Sequence, residues 1–244
     1  MGASRRLAVL AAGLVLSLIV TGCNANLADP SKQNLNNSAA AANAQMGRVN
    51  IAISDSSTCG SPAGPFAHVF VTVVDVLVHE SATAELGDPG WHDLAPQLRA
   101  NPKQIDLLNA ATTQCLLANL GAGHLTAGHY QQIRIILAQT VMPGTGSGDT
   151  LFQTGQCPSN GNCVVLKDGT VQALQLSSEA ITGIKIAGGQ FAGGEFVVQP
   201  GQTVDLNLQF DACASIVQQP GGGFLLKPTI RAFEVQPTTS CPPA

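Results

Sequence analysis

Charge is scarce in this chain: Asp, Glu, Lys and Arg make up 11% of its 244 residues, with 11 basic against 15 acidic side chains. After Arg6 the basic residues stand singly from Lys32 to Arg231. Phosphate binding needs them clustered, so nucleic acid is not an expected partner. Aromatic residues are also few, one Trp, one Tyr and eight Phe, which argues against a stacking platform for sugars. Trp91 lies among polar neighbours and is read as a core or rim residue. Past Val20 no apolar run reaches the roughly 20 residues of a membrane helix, because Gly, Pro or a charge breaks each one. The body of the chain is therefore expected to be soluble.

Catalytic and ligand motifs are missing as well. Ser147 sits in Gly144-Thr145-Gly146-Ser147-Gly148, but Thr145 stands where a nucleophile elbow needs glycine, so the serine reads as loop. His79-Glu80 opens like a zinc-protease motif, yet Thr83 occupies the second histidine position. Asp75 and His79 could share one face of a strand and are the weak metal candidates of this sequence; a third ligand is not evident. His124 and His129 flank Gly128 and read as solvated loop residues. Asp205 and Asp211 read as outward carboxylates, with nothing to place them across a cleft. Calcium loops are absent, and Thr126 breaks the glycine spacing of a phosphate loop after Gly121 and Gly123. No catalytic residue, cofactor or metal is assigned.

The N-terminus is informative. Arg5 and Arg6 precede an apolar run from Leu7 to Val20, and small residues follow, the three parts of a secretory signal over residues 1–22. Val20-Thr21-Gly22-Cys23 resembles the lipobox of bacterial lipoproteins, which makes Cys23 the expected lipid-attachment residue and the membrane a partner through that lipid. In a Gram-negative host, Asn24 in place of an Asp favours the outer membrane. Cleavage would remove two of the 11 basic residues and leave nine against 15 acidic ones, a net charge of −6. Residues 24–46 are rich in Asn, Ala, Gln and Ser and cannot offset the entropy of folding, so the stretch from the lipidated Cys23 to Met46 reads as a tether. It would span roughly 25–30 Å as a random coil.

Seven cysteines less Cys23 leave six, an even set that an oxidising compartment would join as disulfides. Cys157 and Cys163 flank the turn-forming Pro158-Ser159-Asn160-Gly161 and are paired on that ground. Cys59 with Cys115 and Cys213 with Cys241 are the pairings assigned to the rest, the second pinning a Pro-rich tail.

Residues 47–244 read as one β domain, since no second linker divides them. Its 26 Gly and 14 Pro across the chain suit short strands joined by turns. Val49, Ile51 and Ile53 alternate with smaller or polar residues as a half-buried strand. Val69, Val71 and Val73 are followed by Val74, Val76 and Val78, so the inward phase flips after 73, which a β-bulge explains. Trp91–Leu94 and Ile105–Leu108 are short strands, 115–120 a helical turn, and 121–128 a glycine-rich connection. Ile133, Ile135 and Leu137 form a strand. Val164–Leu166 and Val171–Leu176 form a hairpin around Asp168-Gly169. The tandem Ala187-Gly188-Gly189-Gln190-Phe191 and Ala192-Gly193-Gly194-Glu195-Phe196 reads as a loop entering a strand. Val204, Leu206, Leu208 and Phe210 face inward, and a last strand at 224–233 holds Pro228, a sign of an edge or bulge. Together these predict an antiparallel β-sandwich.

Several segments in this order resemble one bacterial family, domain of unknown function 4382, which is common in lipoproteins. They are Val49–Asp55; Val69–Val73 running to Val78-His79; Gly90-Trp91-His92-Asp93-Leu94; Ile105-Asp106-Leu107-Leu108; Gly128-His129-Tyr130-Gln131-Gln132-Ile133-Arg134; Gly183–Ile186; Phe210-Asp211-Ala212 with Ser215-Ile216; and Leu226–Arg231. The resemblance implies an immunoglobulin-like or transthyretin-like sandwich and carries over no catalytic residue. The six cysteines and the 187–196 repeat are not among the features that carry it. The function expected is a non-catalytic envelope module whose loops bind a protein or glycan, or which serves a structural or adhesive role; the alternative is an envelope hydrolase or metal-binding protein.

Overall fold

The computed structural model describes residues 45–55, 66–108, 118–139, 157 and 161–235. Met46–Asp55 form β1, whose Val49, Ile51 and Ile53 are buried as their alternation requires. Phe66–His79 form β2, a 14-residue strand dense in β-branched Val. Short elements follow: β3 (His92–Asp93), the one-turn helix α1 (Gln97–Ala100) and β4 (Lys103–Asp106). Next come β5 (Ala118–Thr126), β6 (Gly128–Tyr130) and β7 (Gln132–Leu137). The hairpin strands β8 (Cys163–Leu166) and β9 (Val171–Leu176) lead to the helical turn α2 (Ser178–Ile181) and to β10 (Ile184–Ala187). The chain then runs through β11 (Phe196–Val198), β12 (Thr203–Phe210), α3 (Ala212–Ser215), β13 (Ile216–Gln218), β14 (Phe224–Leu226) and β15 (Ile230–Glu234).

Among the described residues the strands build two facing sheets and a small two-stranded ribbon of β11 and β6. One sheet has the order β15-β12-β1-β5, the other β10-β7-β2-β8-β9-β14-β13. Val49, Ile51, Ile53, Leu206, Leu208 and Phe210 of the first share a core with Val69, Val71, Val73, Val76 and Val78 of the second. This is a β-sandwich, as the alternation predicts. Its pairing is mixed, however: β1 lies parallel to β12, and β14 parallel to β9. Strands so distant in sequence are not bound by hairpin geometry, and a long connection permits either direction.

The bulge expected after Val73 is present, because the β2–β7 register shifts between Val73 and Asp75. It marks a division of labour along β2. At Phe70 the strand pairs with both β8 and β4, and at Val73 with both β7 and β4, so β8 and β7 follow one another along one edge. At their junction Asn162 takes the place of a strand. Its Oδ1 accepts the Thr72 backbone N–H at 2.8 Å, and its Nδ2 donates to the Ala138 carbonyl at 2.7 Å. Thr72 Oγ1 donates to the Gly161 carbonyl at 2.8 Å, as does Gln104 Nε2 at 3.0 Å. Asn162 is fully buried and lies directly before Cys163, which is joined to Cys157 in a disulfide. Cys213 on α3 is also disulfide-bonded, while Cys59, Cys115 and Cys241 lie outside the described residues, as do Cys23 and Ser147.

Three expectations are corrected. Ala118–Leu120 are strand, not helical turn, and most of the glycine-rich 121–128 segment continues that strand as β5 against β1. Glycine is needed there for close approach: a Cβ on Gly123 would fall 2.9 Å from the Leu94 carbonyl oxygen. The 224–233 run is two strands in different sheets, because Pro228 interrupts the ladder and the chain crosses the sandwich there. The 187–196 tandem does enter a strand, and it also buries Phe191 and Phe196, which stack at 5.7 Å and extend to Tyr130 at 5.2 Å.

Asn162→Ala would leave the buried Thr72 amide without its acceptor and the Ala138 carbonyl without its donor. A loss of about 2–4 kcal/mol is expected in urea unfolding. Asn50→Ala, on an exposed hydrogen-bonded position of β1, should stay within about 0.5 kcal/mol. Equal effects from the two would remove the junction from its central place.

Candidate functional site

The outer face of the larger sheet carries the densest polar chemistry. Beyond the bulge, Val76 and Val78 point into the core, so Asp75, Leu77 and His79 point out. The loop from Glu80 to Trp91 lies over this face, β3 pairs with the edge of β2, and α1 packs against β2 and β5. Three polar groups follow one another along β2.

The first is His68 with Asp106. His68 Nδ1 and Asp106 Oδ2 are 2.6 Å apart, and Asp106 Oδ1 accepts the backbone N–H groups of Val69 and Leu108. The His68 ring stacks on Phe70 at 5.6 Å. The carboxylate fixes the imidazole and ties β4 to β2.

The second is Asp75 with Arg99 and Asp93. Arg99 donates through Nε and a terminal nitrogen to Asp75 Oδ2, both at 2.8 Å, and reaches Asp93 Oδ2 at 3.1 Å. Asp75 Oδ1 accepts the Val76 amide, and Asp93 Oδ1 accepts the Ala95 amide. Burial pushes the Asp75 carboxyl above its ordinary value, against the pull of Arg99, and the nearby Asp93 charge pushes it up further. The two carboxylates in turn raise the Arg99 guanidinium.

The third is His79 with Trp91 and Arg134. His79 Nδ1 accepts the Ser81 amide at 2.8 Å, which makes Nε2 the donor to the Pro89 carbonyl at 3.0 Å. The imidazole lies 5.1 Å from the Trp91 ring, and Trp91 Nε1 donates to the Glu85 carbonyl. Arg134 lies 5.5 Å over the same indole. Gln132 and Arg134 on β7 both donate to the Ala84 carbonyl. Arg134 and Gln132 alternate with the core residues of β7 yet are buried, because the 80–91 loop forms a further layer over the sheet.

Asp75 and His79 do share a face, as the spacing allowed, but they do not meet. Four residues along a strand separate them by roughly 13 Å, and each has its own partners. Among the described residues no group of three His, Cys, Asp or Glu could hold a metal ion. His124 and His129 also part: His124 is exposed on β5 opposite Arg48, while His129 on β6 pairs with Glu195 at 2.9 Å. Hydrogen bonds from His129 and Gln131 lower the Glu195 carboxyl. Asp205 is exposed and accepts from Asn50 at 2.7 Å; Asp211 is the N-cap of α3, accepting the Ala214 amide. Trp91 occupies a half-buried rim position.

Arg134, Gln132, Glu85 and Arg99 are the residues that alternation and motif searching passed over. Only the charge of Arg134 inside an apolar strand signalled it. The arrangement binds loops to a sheet, and it gathers cationic, aromatic and amide groups beneath one of them.

The model of the family described as "Domain of unknown function (DUF4382)" matches residues 46–228. No curated protein and no solved structure matches the chain.

The Asp75 environment fixes a pH dependence. A raised carboxyl pKa means that the folded protein keeps this proton where the unfolded chain has released it, so this group's contribution to stability falls as pH rises through 3.8 toward the raised value. The unfolding free energy of wild type relative to Asp75→Asn should therefore decline as pH rises above 3.8. A relative gain for the wild type as pH rises above 3.8, measured by urea unfolding, would contradict the burial-dominated shift.

Proposed function

The chain belongs to that family, and from this premise we propose that it is a lipid-anchored cell-envelope protein whose β-sandwich binds or adheres without catalysing a reaction. The observation that carries the reading is the N-terminal sequence: a cationic start, an apolar run, and Cys23 directly after Val20-Thr21-Gly22. The polar stretch that follows ends where β1 begins, at Met46. Lipid on Cys23 and a tether over 24–46 would hold the sandwich near the membrane with freedom to turn, and Asn24 favours the outer membrane. The loops over the larger sheet then face potential protein or glycan partners.

The runner-up, an envelope hydrolase or metal-binding protein, would draw on Asp75 and His79. Both already hold architectural partners, Arg99 for one and the Ser81 amide and Pro89 carbonyl for the other. The envelope-module reading uses the same groups as they stand.

Cell fractionation with fatty-acid labelling tests the anchor. Wild-type protein should take up label and sediment with membranes, and Cys23→Ser should do neither. A Cys23→Ser protein still in the membrane fraction, beside an unlabelled wild type, would overturn the reading.

A further inference from the structure

Arg134 is a buried cation with poor compensation. Its side chain is 5% exposed, yet its one ionic partner among the described residues is Glu85, whose side chain is 76% exposed and sits 3.2 Å away. Its other hydrogen bonds go to the carbonyls of Thr182 at 3.3 Å and Ala84 at 3.2 Å, and its guanidinium lies 5.5 Å from the Trp91 ring centroid. Charge-assisted hydrogen bonds to a well-seated guanidinium run shorter, near 2.7–2.9 Å. Glu85 touches only one terminal nitrogen, while Nε is buried and has no partner among the described residues. Guanidinium offers carboxylates a two-pronged edge, and here Glu85 uses one prong from the outside.

Beside this edge lies a second buried group. Gln132, two residues along β7 on the same face, is fully buried; its Nε2 donates to Ala84, and its Oε1 has no partner among the described residues. The pair thus presents one unmet donor, Arg134 Nε, and one unmet acceptor, Gln132 Oε1. Trp91 lies beside Arg134. A bare anion would satisfy the donor and leave the acceptor unmet. A carboxylate with a hydroxyl on the adjacent carbon would satisfy both, its carboxylate on Arg134 and its hydroxyl donating to Gln132 Oε1.

The covering loop is suited to yield. From Glu80 to Gly90 it is fastened by hydrogen bonds to His79, Gln132 and Arg134, and its largest apolar side chain, Leu86, is exposed. Segments held by few apolar contacts open below the free energy of global unfolding. We propose that Arg134 and Gln132, beside Trp91, form a binding site for a hydroxycarboxylate, the chemistry of a sugar acid or hydroxy acid, with Glu85 as the internal carboxylate that such a ligand displaces. This site does not depend on the lipid anchor, so either claim can fail alone.

The chain's single tryptophan lies in the site and reports on it. Purified full chain, wild type and Glu85→Gln, is titrated with lactate and with propionate, which differ by the hydroxyl alone, while Trp91 fluorescence is followed at constant ionic strength. Glu85→Gln should give a saturable change with lactate, at a Kd at least threefold below that of wild type and at least threefold below its own Kd for propionate. Glu85 is exposed, so the variant should fold; its melting temperature confirms that. Absence of a saturable change in Glu85→Gln, or equal responses to the two acids, or equal lactate affinity in variant and wild type, would overturn the proposal.

Discussion

The sandwich depends on what happens where β2 bulges. A strand that must serve β8 over its first part and β7 over its second leaves a gap in its ladder at Thr72, and a buried, unpaired peptide group there would be costly. Asn162 closes the gap with a side-chain amide, whose acceptor and donor reproduce those of a backbone unit. Its own carbonyl accepts the Leu174 amide, so one residue links β2, β7 and the β8–β9 hairpin. The neighbouring Cys157–Cys163 disulfide limits how far Asn162 can move when the chain opens. The bulge also sets the phase of everything after it. Val76 and Val78 stay in the core because of it, and Asp75 and His79 are turned to the outer face.

That outer face explains why the protein keeps so many polar groups at a sheet surface without a metal-holding cluster among the described residues. Segments such as Trp91-His92-Asp93 and Ile105-Asp106 supply carboxylates and rings that tie connections to the strands beneath: Asp106 to His68, Asp93 to Arg99 and the Ala95 amide, Trp91 to the Glu85 carbonyl. Polar residues that are fully satisfied give a surface its shape. Those that are not, Arg134 and Gln132, mark where that surface has capacity left to bind.

Much of the fold was legible because its strands follow a period of two and valine marks the inward positions. The phase change after Val73 announced the bulge, Asp168-Gly169 announced the hairpin, and the turn between Cys157 and Cys163 announced their bond. Other features carried no such signal. Glycines 121 and 123 hid β5, since a residue without a side chain contributes nothing to alternation. Pro228 was read as a flaw in one strand when it separates two. Gln132 and Arg134 obeyed the alternation of β7 but not its usual meaning, because a loop from elsewhere in the sequence covers that face. Asn162 could not be found from its neighbours, as its partner Thr72 lies 90 residues away. The site was thus legible in Asp75, His79 and Trp91 and signalled by the charge of Arg134, but not in Gln132, which is buried between them.

The central claim is that the Thr72–Asn162 junction holds with the core and the 80–91 loop does not, and native-state hydrogen exchange resolved by residue tests it most directly. The Thr72 amide should exchange only through global unfolding, at the same free energy as the amides of Val71 and Val76, while amides between Ser81 and Gly90 exchange through smaller openings. A Thr72 amide that exchanged as readily as those of the loop would contradict the account.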